Sequence, residues 1–98
     1  MTLLEKQIEA SVCTYAKEQG CLVYKFTSPQ RAAVPDRLFI APGGKVFFCE
    51  FKRTGLKPTP AQEREHMRLR GHRVSVWVID NIADGREMVD RMVGNANP

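Results

Sequence analysis

Leu4, Ile8, Val12 and Tyr15 recur at three- and four-residue intervals, so residues 3 to 19 are predicted to form an amphipathic helix. Gly20 stops it. Cys21-Leu22-Val23-Tyr24-Lys25-Phe26 then has the aromatic and aliphatic density of a strand. A loop with two prolines follows over 27–35. Arg37-Leu38-Phe39-Ile40 reads as a second strand, and Pro42-Gly43-Gly44 turns the chain into a third, Val46 to Lys52. Thr59-Pro60-Ala61-Gln62 carries a helix start: a threonine cap, a proline suited to the first helical position and a glutamine completing a capping box. That helix runs to about Arg70, and Gly71 ends it. Val74 to Ile79 alternates like a half-buried strand. A last helix begins at Asp80 or Asn81 and runs to about Val93, leaving 94–98 as a frayed, disordered tail. The order αβββαβα predicts one α/β domain over 1–98, a mixed sheet flanked by helices, without repeats or linkers.

Composition narrows the class. At 98 residues and 43% hydrophobic, the chain supports a single modest core. No apolar run approaches the roughly 20 residues a bilayer span needs, and the start turns charged at once, unlike a signal peptide. A soluble, cytoplasmic protein without a membrane partner is expected. The three cysteines, Cys13, Cys21 and Cys49, have no C-x-x-C spacing and read as reduced core thiols. The net charge of +4 is unevenly spread. Arg31, Arg37, Lys45, Lys52, Arg53 and Lys57 gather around one stretch, with Arg64, Arg68, Arg70, His72 and Arg73 beyond it. Such a surround suits a polyanion.

Within that surround, Glu50 interrupts the apolar run Val46-Phe47-Phe48-Cys49. A carboxylate in a dry strand is costly unless a cation or several donors meet it. Glu50 and Lys52 share a strand face, about 6.6 Å apart along the backbone. If an odd number of loop residues joins the second and third strands, Ile40 faces Val46 and Asp36 faces Glu50, with Cβ atoms roughly 5 Å apart. A two-residue Gly43-Gly44 turn would set Arg37 against Glu50 instead. Two carboxylates so close repel unless a cation lies between them. Mg²⁺, with oxygen ligands at about 2.1 Å, fits two carboxylates, the carbonyl of Phe51 and water. Lys52 would then orient water or stabilise charge on a phosphate. Glu9, beside the Ile8 and Val12 stripe, could be aimed at the same metal. Gln62 could reach the site or serve only as a cap.

The ordered set resembles the PD-(D/E)xK nucleases, and more closely the virus-type replication-repair nuclease (VRR-NUC) domain. The matching residues are Ile8-Glu9, Gly20, Lys25-Phe26-Thr27-Ser28-Pro29, Val34-Pro35-Asp36-Arg37, Gly43-Gly44, Glu50-Phe51-Lys52, Pro60, Gln62 and Gly71, covering roughly residues 5 to 80. The resemblance implies a restriction-endonuclease-like core, Mg²⁺ or Mn²⁺ as cofactor, and phosphodiester hydrolysis in DNA. Small stand-alone members look similar to Holliday-junction resolvases, which implies a homodimer acting on branched DNA in a bacterial or phage-infected cell. Carried over by position, Glu9, Asp36 and Glu50 are metal ligands along with the Phe51 carbonyl. Lys52 is the catalytic lysine and Gln62 the glutamine that follows it. Glu5, one turn before Glu9, competes for the helix-carboxylate role. DNA contacts are expected from Lys25, Ser28, Arg31, Arg37, Arg53 and Lys57. The segment before Pro35 is often glycine-bearing in this family; Ala32-Ala33 here implies a loop of different shape, since alanine disfavours positive φ.

Two other functions compete with the nuclease. One is a non-catalytic DNA-binding module that keeps the nuclease fold. The other makes Glu50 and Lys52 a surface pair on an edge strand; apolar Val46 and Phe48 on the same face argue against it, because they ask for cover. Trp77, Met88 and Met92 are candidates for a dimer interface or for plain core.

Overall fold

A computed structural model of the chain describes residues 3–94. Its elements are α1 (Glu5–Glu18), β1 (Leu22–Lys25), β2 (Arg37–Ile40), β3 (Val46–Phe51), α2 (Pro60–Gly71), β4 (Ser75–Ile79) and α3 (Ile82–Val93). This is the αβββαβα order that the pattern predicts. Of the expected frayed tail, 95–98 lie outside the described residues; Gly94 supplies the left-handed C-cap of α3. The second helix ends at Gly71 as expected. It caps at His72, and Arg73 takes the left-handed turn with φ 63°. Among the described residues no helix is long and apolar enough to cross a membrane.

The strands stand in the order β1-β2-β3-β4. β1 pairs with β2 and β2 with β3 antiparallel, whereas β3 and β4 are parallel. A parallel pair needs a crossover, and α2 provides it. The β2–β3 turn fixes the register on which the site depends. Gly43 and Gly44 both sit at positive φ, 90° and 92°, a conformation open to glycine. The Ala41 N–H donates to the Lys45 carbonyl at 2.8 Å, so three residues turn the chain. Ile40 therefore faces Val46 and Arg37 faces Cys49, which sets Asp36 opposite Glu50 one step on. The two-residue turn that would have set Arg37 against Glu50 does not form.

Strand alternation divides the sheet into two unlike faces. One carries Phe39, Phe47, Cys49, Phe51 and Ile79 and packs against Ile8, Val12 and Ala16 of α1 and Met88 and Val89 of α3. Phe39 and Phe47 are cross-strand partners whose rings stack with centroids 4.9 Å apart. Burying each such side chain contributes about 1.5–3 kcal/mol. The Tyr15 hydroxyl donates to Asp90, and the Arg86 guanidinium lies 4.2 Å from the Tyr15 ring centroid, so polar contacts fasten α1 to α3 at the rim. Cys13, Cys21 and Cys49 are buried and free. Met88 is fully buried, and Trp77 and Met92 pack against the core. Met88 is therefore core, and Trp77 and Met92 are half-buried at its margin.

The other face holds the row Leu22, Ile40 and Val46 and the next row Tyr24, Leu38 and Phe48. α2 lies against β4, so the β1–β2 half of this face is open. Leu22, Tyr24 and Val46 are exposed there, and the cover expected over Val46 is missing.

Close approach of α1 and α3 depends on Gly85, where an added Cβ would overlap the Val12 side chain and press on Ile79. Gly85→Ala is expected to lower stability by about 1–2 kcal/mol in urea denaturation. This loss should appear although alanine favours a helix over glycine by about 1 kcal/mol.

Candidate active site

Glu50 lies near the end of β3, between β2 and β4, and is only 2% exposed. That excludes a surface pair on an edge strand. Its neighbour across the register is Asp36, held behind the buried Pro35. Asp36 Oδ2 accepts a hydrogen bond from the Phe51 N–H at 2.9 Å, which ties the entry of β2 to the exit of β3. The Asp36 and Glu50 carboxyls are within hydrogen-bonding reach of each other. Burial, then the charge of Asp36, pushes the Glu50 pKa up to about 8, against the lowering pull of Lys52. Lys52 Nζ stands 3.8 Å from Glu50 Oε2 and is itself largely covered. Glu50 Oε1 is buried with no hydrogen-bond partner.

The start of α2 delivers Gln62. Thr59 Oγ1 accepts from the Gln62 N–H at 3.2 Å, and Gln62 Oε1 accepts from the Thr59 N–H at 3.0 Å. The same side chain donates from Nε2 to Glu50 Oε2 at 3.2 Å. Capping and a role in the site are therefore simultaneous. The loop leading to α2 is fastened just after β4: Thr54 donates to the Asp80 carbonyl and the Gly55 N–H to the Asp80 carboxylate. One turn after Gln62, His66 is 1% exposed and points Nε2 at Glu50 Oε1 from 3.8 Å. Sequence reasoning passed over His66, although its i+4 spacing from Gln62 places both on one helix face. Burial, then the Arg70 and Lys52 charges, lowers its pKa.

The helix carboxylates separate. Glu9 is not brought to Glu50, because Arg37 Nε donates to Glu9 Oε2 in a close, largely covered ion pair. It lies on the Arg37 side of the sheet, next to the site rather than in contact with Glu50. Glu5 is the one whose charge reaches the pair. Partial desolvation and the charge of Asp36 raise its pKa, with Lys52 opposing, and its charge in turn acts on Glu50.

The expected DNA contacts also divide. Lys25, Arg53 and Lys57 are exposed, and Ser28 is half-buried in the loop after β1. Arg37 is engaged by Glu9. Arg31 donates to Glu65 Oε1 from Nε at 3.2 Å and Nη2 at 3.1 Å, linking the 27–35 loop to α2. Neither arginine is a free cation. In the same loop Ala33 adopts φ 67°, so alanine takes a left-handed conformation after all.

Two apposed carboxylates and an orphaned buried oxygen suit a cation. Among the described residues no three His, Cys, Asp or Glu side chains gather as a metal-binding group. Further oxygen ligands would come from main-chain carbonyls such as that of Phe51, or from water and substrate.

Two outcomes follow. Glu50 keeps its proton when folded up to about pH 8 but loses it near 4.5 when unfolded. In that window the folded state binds more protons, so stability is full below it, falls as pH rises through it and levels above it. Urea titrations of the metal-free protein should show wild type losing on the order of 1 kcal/mol per pH unit more than Glu50→Gln between pH 5 and 8. Ala33→Gly should raise stability by about 0.5–1 kcal/mol in the same assay, because glycine removes the left-handed penalty.

No protein-family model matches the chain. A curated protein of Acyrthosiphon pisum secondary endosymbiont phage 1, named "Putative nuclease p44", is 49% identical over 74 residues, 74% of this chain and 80% of that protein. A solved structure described as "VRR_NUC domain" superposes with a TM-score of 0.78 at 30% identity, covering 95% of this chain and 97% of the other. The strand order, the opposed Asp36 and Glu50 and these two similarities agree: the chain belongs to the VRR-NUC nuclease family.

Proposed function

We propose that this protein is a Mg²⁺- or Mn²⁺-dependent DNA endonuclease that acts on branched DNA, with Holliday-junction-resolvase-like action, as a homodimer. The observation that carries this is Glu50: a buried carboxylate beside a second carboxylate, with one oxygen unpartnered. Asp36 and Glu50 would hold the ion, with the Phe51 carbonyl as a third donor. When bound, the ion would polarise a phosphate oxygen and make water available as a nucleophile near neutral pH.

The remaining work falls to the chain. Gln62 holds Glu50 Oε2 so that the carboxylate keeps one orientation. Lys52, 3.8 Å from the same oxygen, places an ammonium where negative charge builds on the phosphate. Glu5 adds a carboxylate from the helix side. Exposed Lys25, Arg53 and Lys57 attract the backbone of DNA, a contribution that salt weakens. Symmetric cutting of two strands asks for two sites, and a two-fold dimer supplies them with identical patches. Leu22, Tyr24 and Val46 are the exposed apolar residues on the face that also carries Asp36 and Glu50, and they suit that interface.

The test is cleavage of labelled four-way junctions, flaps, single strands and duplex in Mg²⁺, Mn²⁺ or EDTA. Metal-dependent cutting of junctions, lowered at least 100-fold by Lys52→Ala, is the expected result, in line with the usual size of electrostatic stabilisation. Junction binding with no cutting under any metal would instead favour a binding module. In the same assay Glu5→Gln should reduce the rate more than Glu9→Gln; the reverse order would restore Glu9 to the site.

A further inference from the structure

Two buried polar side-chain atoms among the described residues have no hydrogen-bond partner: Glu50 Oε1 and His66 Nε2. They belong to adjacent elements and lie 3.8 Å apart. An unpartnered buried polar atom costs about 1–3 kcal/mol, so finding two that face each other calls for a common cause. Packing does not supply one, since a leucine or methionine at position 66 would fill the same place without adding a second unpartnered atom.

We propose that His66 is a positioning residue for Glu50, donating from Nε2 to Oε1, so that α2 grips both carboxylate oxygens. Gln62 takes Oε2 at 3.2 Å, and His66, one helical turn on, takes Oε1. The separation of 3.8 Å exceeds a formed hydrogen bond by less than 1 Å. Rotation about the last torsion of glutamate, which is broad, closes such a gap. His66 is not itself offered as a metal ligand, as no three such side chains gather among the described residues. Its place is behind the carboxylate, where donors that orient a ligand govern how well that ligand holds its ion. This last step rests on Glu50 binding a divalent ion; the hydrogen bond itself does not.

The experiment uses the full chain with ¹⁵N-labelled histidine, free of metal, and long-range proton–nitrogen correlation. The proton of His66 should be found on Nε2, and the Nε2 resonance should move in Glu50→Gln. Calorimetric titration with Mg²⁺ should then show His66→Leu binding about 10-fold more weakly than wild type, at the low end of the usual effect of such donors. His66→Gln, whose amide nitrogen reaches near the place of Nε2, should recover most of the affinity. A proton on Nδ1 with Nε2 indifferent to Glu50→Gln would overturn the proposal, as would His66→Leu binding Mg²⁺ as tightly as wild type. If His66→Leu fails to fold, the tautomer and His66→Gln decide. If wild type binds no Mg²⁺, the metal reading of the site fails, while the tautomer still decides whether His66 holds Glu50.

Discussion

Glu50 occupies a position on an internal strand where nearly every neighbour along the chain is apolar, and it is almost sealed from water. A free carboxylate there would be expelled or neutralised, and its raised pKa expresses that pressure. Much of the surrounding structure manages this one group. The three-residue turn at Pro42-Gly43-Gly44 sets the register that brings Asp36 opposite. The crossover between β3 and β4 carries Gln62 and His66 to its two oxygens. The Asp80 contacts to Thr54 and Gly55 fasten the loop that connects the strand to that helix. Lys52 is fixed on the same face two residues later. Without a cation, a proton on Glu50 relieves the repulsion between the two carboxyls, as its raised pKa shows.

The two faces of the sheet explain how so small a chain can hold this group. α1 and α3 close one face with three buried phenylalanines, two aliphatic side chains from α1 and the Gly85 contact, and this side carries most of the packing. The other face is left to function. α2 roofs only its β4 side, leaving the carboxylates at the margin between covered and open sheet. The apolar rows on the open half lie next to the site, so whatever covers them also borders the chemistry.

Much of this was legible in the residues. Three- and four-residue spacing predicts α1, the Thr59-Pro60-Gln62 signature predicts α2, and the glycine pair allows either an odd or a two-residue turn. The apposition of Asp36 and Glu50 was readable only on condition of an odd turn, a condition that the Ala41–Lys45 turn meets. What escaped depends on long-range partners. Glu5 and Glu9 share one helix face, and only the position of Arg37 across the sheet separates them. Arg31 looked like a cation for DNA because Glu65 is distant in sequence. His66 carried no local sign of burial, since a polar residue on a charged helix reads as solvated. Ala33 shows the opposite limit, where local preference is overruled by a loop tied to α2 through Arg31.

Whether Asp36 and Glu50 form one cation site is read most directly by Mn²⁺ titration followed through paramagnetic broadening of backbone amide resonances. The account predicts saturable broadening centred on the amides of Asp36, Glu50, Phe51 and Lys52, abolished in Glu50→Gln. Broadening that is diffuse, or that is centred elsewhere and persists in Glu50→Gln, would contradict it.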